Sequence, residues 1–284
     1  MLRTNNAVAW PWIAIFFFPA SLCSQDAREI VRTSVTRDQA NWLRAKDYTW
    51  TVHRVERQLD SNGRIKSEKR EAWDTLILYG EPHKRYTERN SRALTPDELR
   101  KQQQRLDQEI GRLRDESPQQ KERRLADEER KRRKDREFLQ EIPDVFDLRI
   151  EREDVMDGRG VWVISANPKP GYRPRTSDAR NMQKTKGTLW IDKSEYQWVR
   201  VEAETIGTIT FGIFIGRINP GARLLFEQTR VNDELWLPKR SFVSGVGRIV
   251  GKKIAAEEEI TWSDFRKFRV ESNIVADSSP SQND

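Results

Sequence analysis

Two helix-start signatures in the middle of the chain constrain its fold more than any other feature. Thr95-Pro96-Asp97-Glu98 puts threonine at a helix cap, proline at the first helical position and glutamate at the third. Ser117-Pro118-Gln119-Gln120 repeats the same chemistry. Leu99, Leu106, Ile110 and Leu113 follow the first signature at a/d heptad spacing. The second helix is expected to run to about Gln140 with almost no apolar face, because Leu125, Phe138 and Leu139 do not line up. Strand-like segments lie on both sides. A single straight helix across this stretch would be about 65 Å long and would leave the chain far from its sheet. The segment at about 95–141 therefore reads as an αα-hairpin broken near Pro118, projecting from a β domain or lying over it.

Around that insert the patterning switches between two periods. Asp26 to Lys46 reads as a helix, with Ile30, Val31, Val35, Trp42 and Leu43 near one stripe. From Asp47 the period becomes two: Tyr48, Trp50 and Val52 alternate with Thr49, Thr51 and His53. Asp60-Ser61-Asn62-Gly63 is a hairpin turn. Ala72 to Tyr79 reads as the return strand and His83 to Glu88 as the next. After the insert, Val145 to Glu153 and Val161 to Ala166 flank the turn Asp157-Gly158-Arg159-Gly160. A Pro-rich loop spans Asn167 to Pro174. Further strands are expected at Thr188 to Asp192, Tyr196 to Thr205, Ala222 to Val231, Leu235 to Ser244 and Lys253 to Asp264, with turns such as Asn219-Pro220-Gly221 and Asn232-Asp233 between them. One α+β domain over 25–275 is expected, followed by a polar tail at 276–284 that has no reason to order.

The first residues concern location. Arg3, the apolar run Ala7 to Phe18 and the small-residue stretch that follows have the layout of a secretory signal peptide at 1–24. The run is too short to span a bilayer, which takes about 20 residues. An exported protein of the periplasm or the extracellular space is expected, without a transmembrane span in the mature chain. Cys23 is the only cysteine, and Leu22 stands where a lipoprotein signal has a small residue. Ordinary cleavage near Cys23 or Ser24 is therefore expected rather than lipidation.

Of the residues 34% are charged, yet there are ten Trp and eleven Phe. Disordered chains are poor in aromatics, so a folded domain with a heavily charged surface follows. Much of the net charge of +7 is local. Arg130, Lys131, Arg132, Arg133 and Lys134 run together, but Asp127, Glu128, Glu129, Asp135 and Glu137 flank them. That is the pattern of a solvated helix face with i,i+4 pairs. It speaks against nucleic acid, which needs a clustered basic face, and leaves anionic lipid head groups or a protein partner. His53 and His83 lie on strands that could be neighbours, but without cysteines or a carboxylate constellation they make no metal site. There is no phosphate-binding glycine loop before a helix, no nucleophile elbow and no HExxH. Neither catalysis nor a cofactor is expected.

Gly187-Thr188-Leu189-Trp190-Ile191-Asp192-Lys193, a short turn, and Gln197-Trp198-Val199-Arg200-Val201-Glu202 form a strand pair. The pair resembles that of the LolA/LolB-like family of periplasmic lipoprotein carriers. Phe211-Gly212, the Gly221 turn and Val231 to Pro238 resemble exported proteins of the same architecture. The resemblance implies an incomplete antiparallel β-barrel closed on its open side by helices, with an apolar cavity for acyl chains. The long charged insert departs from the shorter lids of that family and suggests an added partner surface.

On that basis Tyr48, Trp50, Val52, Trp73, Ile77, Trp190 and Trp198 are candidates to line a lipid cavity or the core. Periodicity leaves open which sheet face is concave. Ile206 to Ile218 is the most apolar mature stretch, interrupted by Gly207, Gly212 and Gly216. It reads either as a buried hairpin or as a mobile gate touching lipid. Two functions are in play: a non-enzymatic envelope carrier for a lipid or the acyl chain of a lipoprotein, and a sensor or adaptor whose helical hairpin binds a protein.

Overall fold

The structure, a computed structural model, describes residues 26–45, 47–211 and 216–267. The expected signal segment, Cys23, the polar tail and part of Ile206 to Ile218 lie outside those residues. Helix α1 (Ala27–Ala45) buries Ile30, Val31, Ser34, Val35, Asp38 and Asn41. Their spacing of three and four residues makes a single stripe. Asn41 anchors the helix to the sheet. Its amide accepts from the backbone N–H of Trp236 at 2.8 Å and donates to the Trp236 carbonyl.

The strands are β1 (Tyr48–Leu59), β2 (Ile65–Leu78), β3 (Glu81–Arg89), β4 (Arg92–Ala93), β5 (Phe146–Met156), β6 (Arg159–Pro168), β7 (Thr185–Asp192), β8 (Trp198–Thr205), β9 (Ile209–Phe211), β10 (Gly216–Ile218), β11 (Arg223–Val231), β12 (Leu235–Ile249) and β13 (Lys252–Lys267). They form one antiparallel sheet in the order β4-β3-β2-β1-β13-β12-β11-β8-β7-β6-β5, with β10 joining β12 and β9 joining β10. The end strands β4 and β5 do not meet, so the sheet is an open half-barrel. The fold is α+β, as the sequence predicts. Strand β2 starts earlier than expected, and β12 runs further. Ile65 to Arg70 has no apolar alternation and pairs through charge instead, as where Arg57 donates to Glu68 at 2.8 Å across the hairpin. Helix α5 (Ser177–Met182) was not legible; it starts where the Thr176 hydroxyl accepts from the Ala179 N–H at 3.1 Å.

In the insert, α2 (Pro96–Arg114) and α3 (Pro118–Arg136) both begin with complete capping boxes. Thr95 N–H donates to Glu98 at 2.8 Å, and Ser117 N–H donates to Gln120 at 2.8 Å. The Arg92 guanidinium, with the bonds from Thr95, holds the Glu98 carboxyl at about 2. Helix α2 lies along β3, where the Gln102 amide accepts from Tyr86 N–H at 2.9 Å and donates to its carbonyl at 3.0 Å, as a neighbouring strand would. Helix α3 is tied at both ends. Arg124 bridges Glu81 at 2.6 Å and Glu116 at 2.9 Å; at the other end Arg136 pairs with Asp38 of α1 and lies over the Trp42 ring. No residue of α3 is buried. The hairpin thus lies over the domain as a strap from the β2–β3 turn to α1. Beyond Arg136, a 3-10 turn (Glu137–Glu141) and α4 (Ile142–Val145) put Leu139 and Ile142 into the main core with Ile30, Val31, Trp162, Ile164 and Ile191.

Residues directly opposite on antiparallel strands share a face. One such row crosses the sheet as Ile164, Leu189, Val201, Phe226, Ser241, Ile260 and Arg54. Ile164 and Leu189 pack under α1, so this is the helix-covered inner face. The row of Val163, Trp190, Arg200, Glu227 and Arg240 belongs to the outer face.

Candidate ligand cavities on the inner face

The inner face turns apolar and shallow where β8, β11, β12 and β13 run together. Ala203, Leu224 and Val243 form one cross-strand row there, and Gly245 and Ala256 pair in the next. The β9–β10 pair extends the sheet beside the end of β12. On the inner face of this end lies a cavity of about 380 Å³, lined by Ile209, Phe211 and Ile218 from that pair and by Leu224, Val243 and Ala256 from its neighbours, with Glu204, Arg217, Arg223 and Arg248 also contributing. Two glycines let these strands approach closely. A Cβ on Gly216 would overlap the Phe211 ring, and one on Gly247 would overlap the Arg217 carbonyl oxygen. Buried Thr205 sets the bend into β11: its hydroxyl donates to the Asn219 carbonyl at 2.9 Å and accepts from Ala222 N–H at 2.9 Å.

A second cavity, also about 380 Å³, lies between α1, the end of α3 and the sheet. Trp42, Phe138, Leu139, Trp198 and Phe226 supply its apolar lining, and Asp38, Arg132, Arg136 and Gln228 its polar one. Phe226 and Leu224 are alternate residues of β11 and face the same way. The two cavities therefore sit along one apolar strip. Burial pushes the Asp38 carboxyl above the ordinary Asp value, against the pull of Arg136 and Gln228. A third hollow of about 410 Å³ lies between α2 and β3; Lys84, Arg85, Arg89, Lys101 and Arg105 line it, beside Tyr86 and Leu106. The Lys84 ammonium stands 4.1 Å from the centre of the Trp73 ring.

The structure distributes the sequence candidates as follows. Tyr48 is fully buried; its hydroxyl donates to Glu234 at 3.0 Å, and it packs with Leu235, Leu237 and half-buried Trp50. Val52 and Trp73 are buried and directly opposite each other, and Ile77 is half-buried opposite Pro82. Trp190 lies on the outer face beneath the Arg200 guanidinium, packed with Val161, Val199 and Trp236. Trp198 belongs to the main core and lines the second cavity. Arg130, Lys131, Arg133 and Lys134 are exposed, with Arg130 paired to Asp127 and Arg133 to Glu129. Arg132, Arg133 and Lys134 also line a hollow of about 490 Å³ beside Trp42 and Leu43.

The strand pair that carries the family resemblance is held together by its own polar residues. Asp192 is buried and accepts from Arg159 at 2.7 Å, from the Ser194 hydroxyl at 2.7 Å and from Glu195 N–H at 2.7 Å, closing the β7–β8 turn. Burial pushes its carboxyl up, but these bonds together bring it below the ordinary value. Arg200 pairs with Glu227 on the outer face at 3.2 Å. The two histidines are not on neighbouring strands, because β2 separates β1 from β3; His53 registers with Ala72 and His83 with Leu76. Among the described residues no group of three or more His, Cys, Asp or Glu is placed to hold a metal ion.

Sequence reasoning did not single out Leu224, Phe226, Val243, Asp38 or Gln228. The available signal was the alternation of Leu224 and Phe226 beside Gly245 and Gly247, small residues at every second position of the facing strand. Asp38 was hidden because a polar residue within an apolar helical stripe reads as a break.

No family model matches the chain, and no curated protein matches it. Solved structures similar to it include a DUF1329 family protein from Desulfovibrio piger, at 12% identity over 87% of this chain and 95% of that one, with a TM-score of 0.32. An outer membrane lipoprotein-sorting protein domain from Vibrio parahaemolyticus aligns at 10% identity over 86% and 95%, with a TM-score of 0.33. A LolA superfamily protein from Nitrosomonas europaea aligns at 10% identity over 86% and 93%, with a TM-score of 0.30. Among the described residues no helix is long and apolar enough to cross a membrane.

Proposed function

We propose that this is an exported, non-enzymatic protein that holds an acyl chain on the inner face of its half-barrel. One observation carries the reading: the apolar cavity on the inner face where β9 and β10 extend the sheet, set on the same strip as the Trp198–Phe226 cavity. Binding sites of this kind are concave and mostly apolar, with a few polar groups at the margin. Affinity would come from burying methylenes, each worth about 0.8 kcal/mol before ordering costs. Release would need movement of the α3 strap, not covalent chemistry.

Trp198 lies beside the strip and can report binding. Titration with fatty acids of increasing length, followed by Trp fluorescence, should give affinity that rises with chain length and changes little between low and high salt. No response at any length, or one that high salt abolishes regardless of length, would remove this reading. The exposed cations of α3, on a helix that buries nothing, favour a second one, an adaptor that binds an acidic protein segment. Charge reversal at Arg130 and Lys131 should then abolish partner capture while leaving fatty-acid binding intact.

A further inference from the structure

We propose that the end of the half-barrel formed by β10, the last residues of β12 and the first of β13 docks on an anionic lipid bilayer. Three features meet there. The β12–β13 turn is Val250-Gly251, and Val250 has φ +46° and is 78% exposed. Left-handed backbone is costly for a β-branched residue, and an exposed valine gains nothing from water. Other hairpins of this sheet put Asp157, Asn232 and Tyr79 at left-handed positions, and among the described residues Val250 is the only β-branched one there. Strain of this kind, retained at an exposed tip, points to a use for the side chain.

Apolar exposure also extends beyond Val250, to Ile249, Val246 and Phe211. Lastly, Arg217, Arg248 and Lys253 stand directly opposite one another on three neighbouring strands. Like charges in that arrangement repel. No ion pair reaches any of the three among the described residues, although elsewhere the sheet faces Arg57 with Glu68 and Arg200 with Glu227. A row of unmatched cations beside exposed aliphatic side chains fits a surface that is anionic outside and apolar beneath. An acidic protein surface would match the cations but leave Val250 in water. Docking this way would bring the cavity rim at Arg217, Arg248 and Ile249 to the bilayer. The inference does not depend on the cavity holding an acyl chain.

Vesicle flotation of the purified protein tests it, using phosphatidylcholine alone or mixed with phosphatidylglycerol, at low and high salt. The anionic vesicles should bind more than about tenfold tighter at low salt, given three cations at the surface. Val250→Asn should keep or raise Tm while weakening that binding about tenfold. Arg248→Gln should weaken it about fivefold and flatten its salt dependence. Equal flotation with both vesicle types, failure to float with either, or full binding by both variants would overturn the proposal. A protein that floats on anionic vesicles yet gives no fatty-acid response would remove the carrier reading and leave the docking surface standing.

Discussion

Two buried aspartates of this protein respond to pH in opposite directions. Asp38 binds its proton more tightly in the folded chain than in the unfolded one. Its contribution to stability is therefore full below the ordinary Asp value of about 4 and is lost as pH rises through the raised value. Asp38→Asn should remove that loss, so Tm at pH 7 should hold or rise. A fall would mean that the Arg136 pair outweighs burial. Asp192 is lowered, so its contribution is present above about pH 4 and is lost as pH falls through the lowered value. Asp192→Asn removes the buried charge that pairs with Arg159 and loosens the β7–β8 turn, and should cost about 2–4 kcal/mol at neutral pH. Chemical denaturation of both variants across pH 3–8 would separate the two behaviours. An Asp192→Asn chain as stable as the parent would contradict the account of that turn.

At the scale of elements, α3 is the unusual one. Its helical form rests on its cap and on contacts at its two ends, since it buries no side chain. Helix α2 buries Leu113 alone, so replacing Thr95 to Arg136 with a short Gly/Ser linker should leave a cooperative thermal transition. The replacement must stop there, because Leu139 and Ile142 are core residues. Loss of cooperativity would show that the strap holds the sheet in shape. The caps that define α2 and α3 were legible because Thr95-Pro96 and Ser117-Pro118 act through covalent neighbours. The strands of the half-barrel were legible wherever alternation was apolar, as at Tyr48 to Val52. They were not legible at Ile65 to Arg70, where cross-strand charge replaces apolar pairing. The candidate site was less legible still. Phe226 and Asp38 are far apart in sequence and meet only after the sheet and α1 have packed. Trp190, conspicuous in the sequence, lies on the outer face because strand alternation opposes it to Leu189 and Ile191.

For the whole molecule, the consequence of a sheet that stops short of closure is felt at β5. The other end is sheltered, since Gln102 occupies the backbone of Tyr86. Strand β5 has no such cover. Its outward edge carries N–H and C=O groups that can accept a further strand, and the exposed side chains along it are Asp147, Arg149, Glu151, Arg152, Glu153 and Asp154, with Val155 the one apolar exception. Charges are a common guard against edge-to-edge pairing. That guard is electrostatic, so salt weakens it. Light scattering should therefore detect concentration-dependent oligomers of folded protein as salt rises, suppressed by Val155→Lys. A half-barrel that stops short of closure is, by its own geometry, a template for its own polymer.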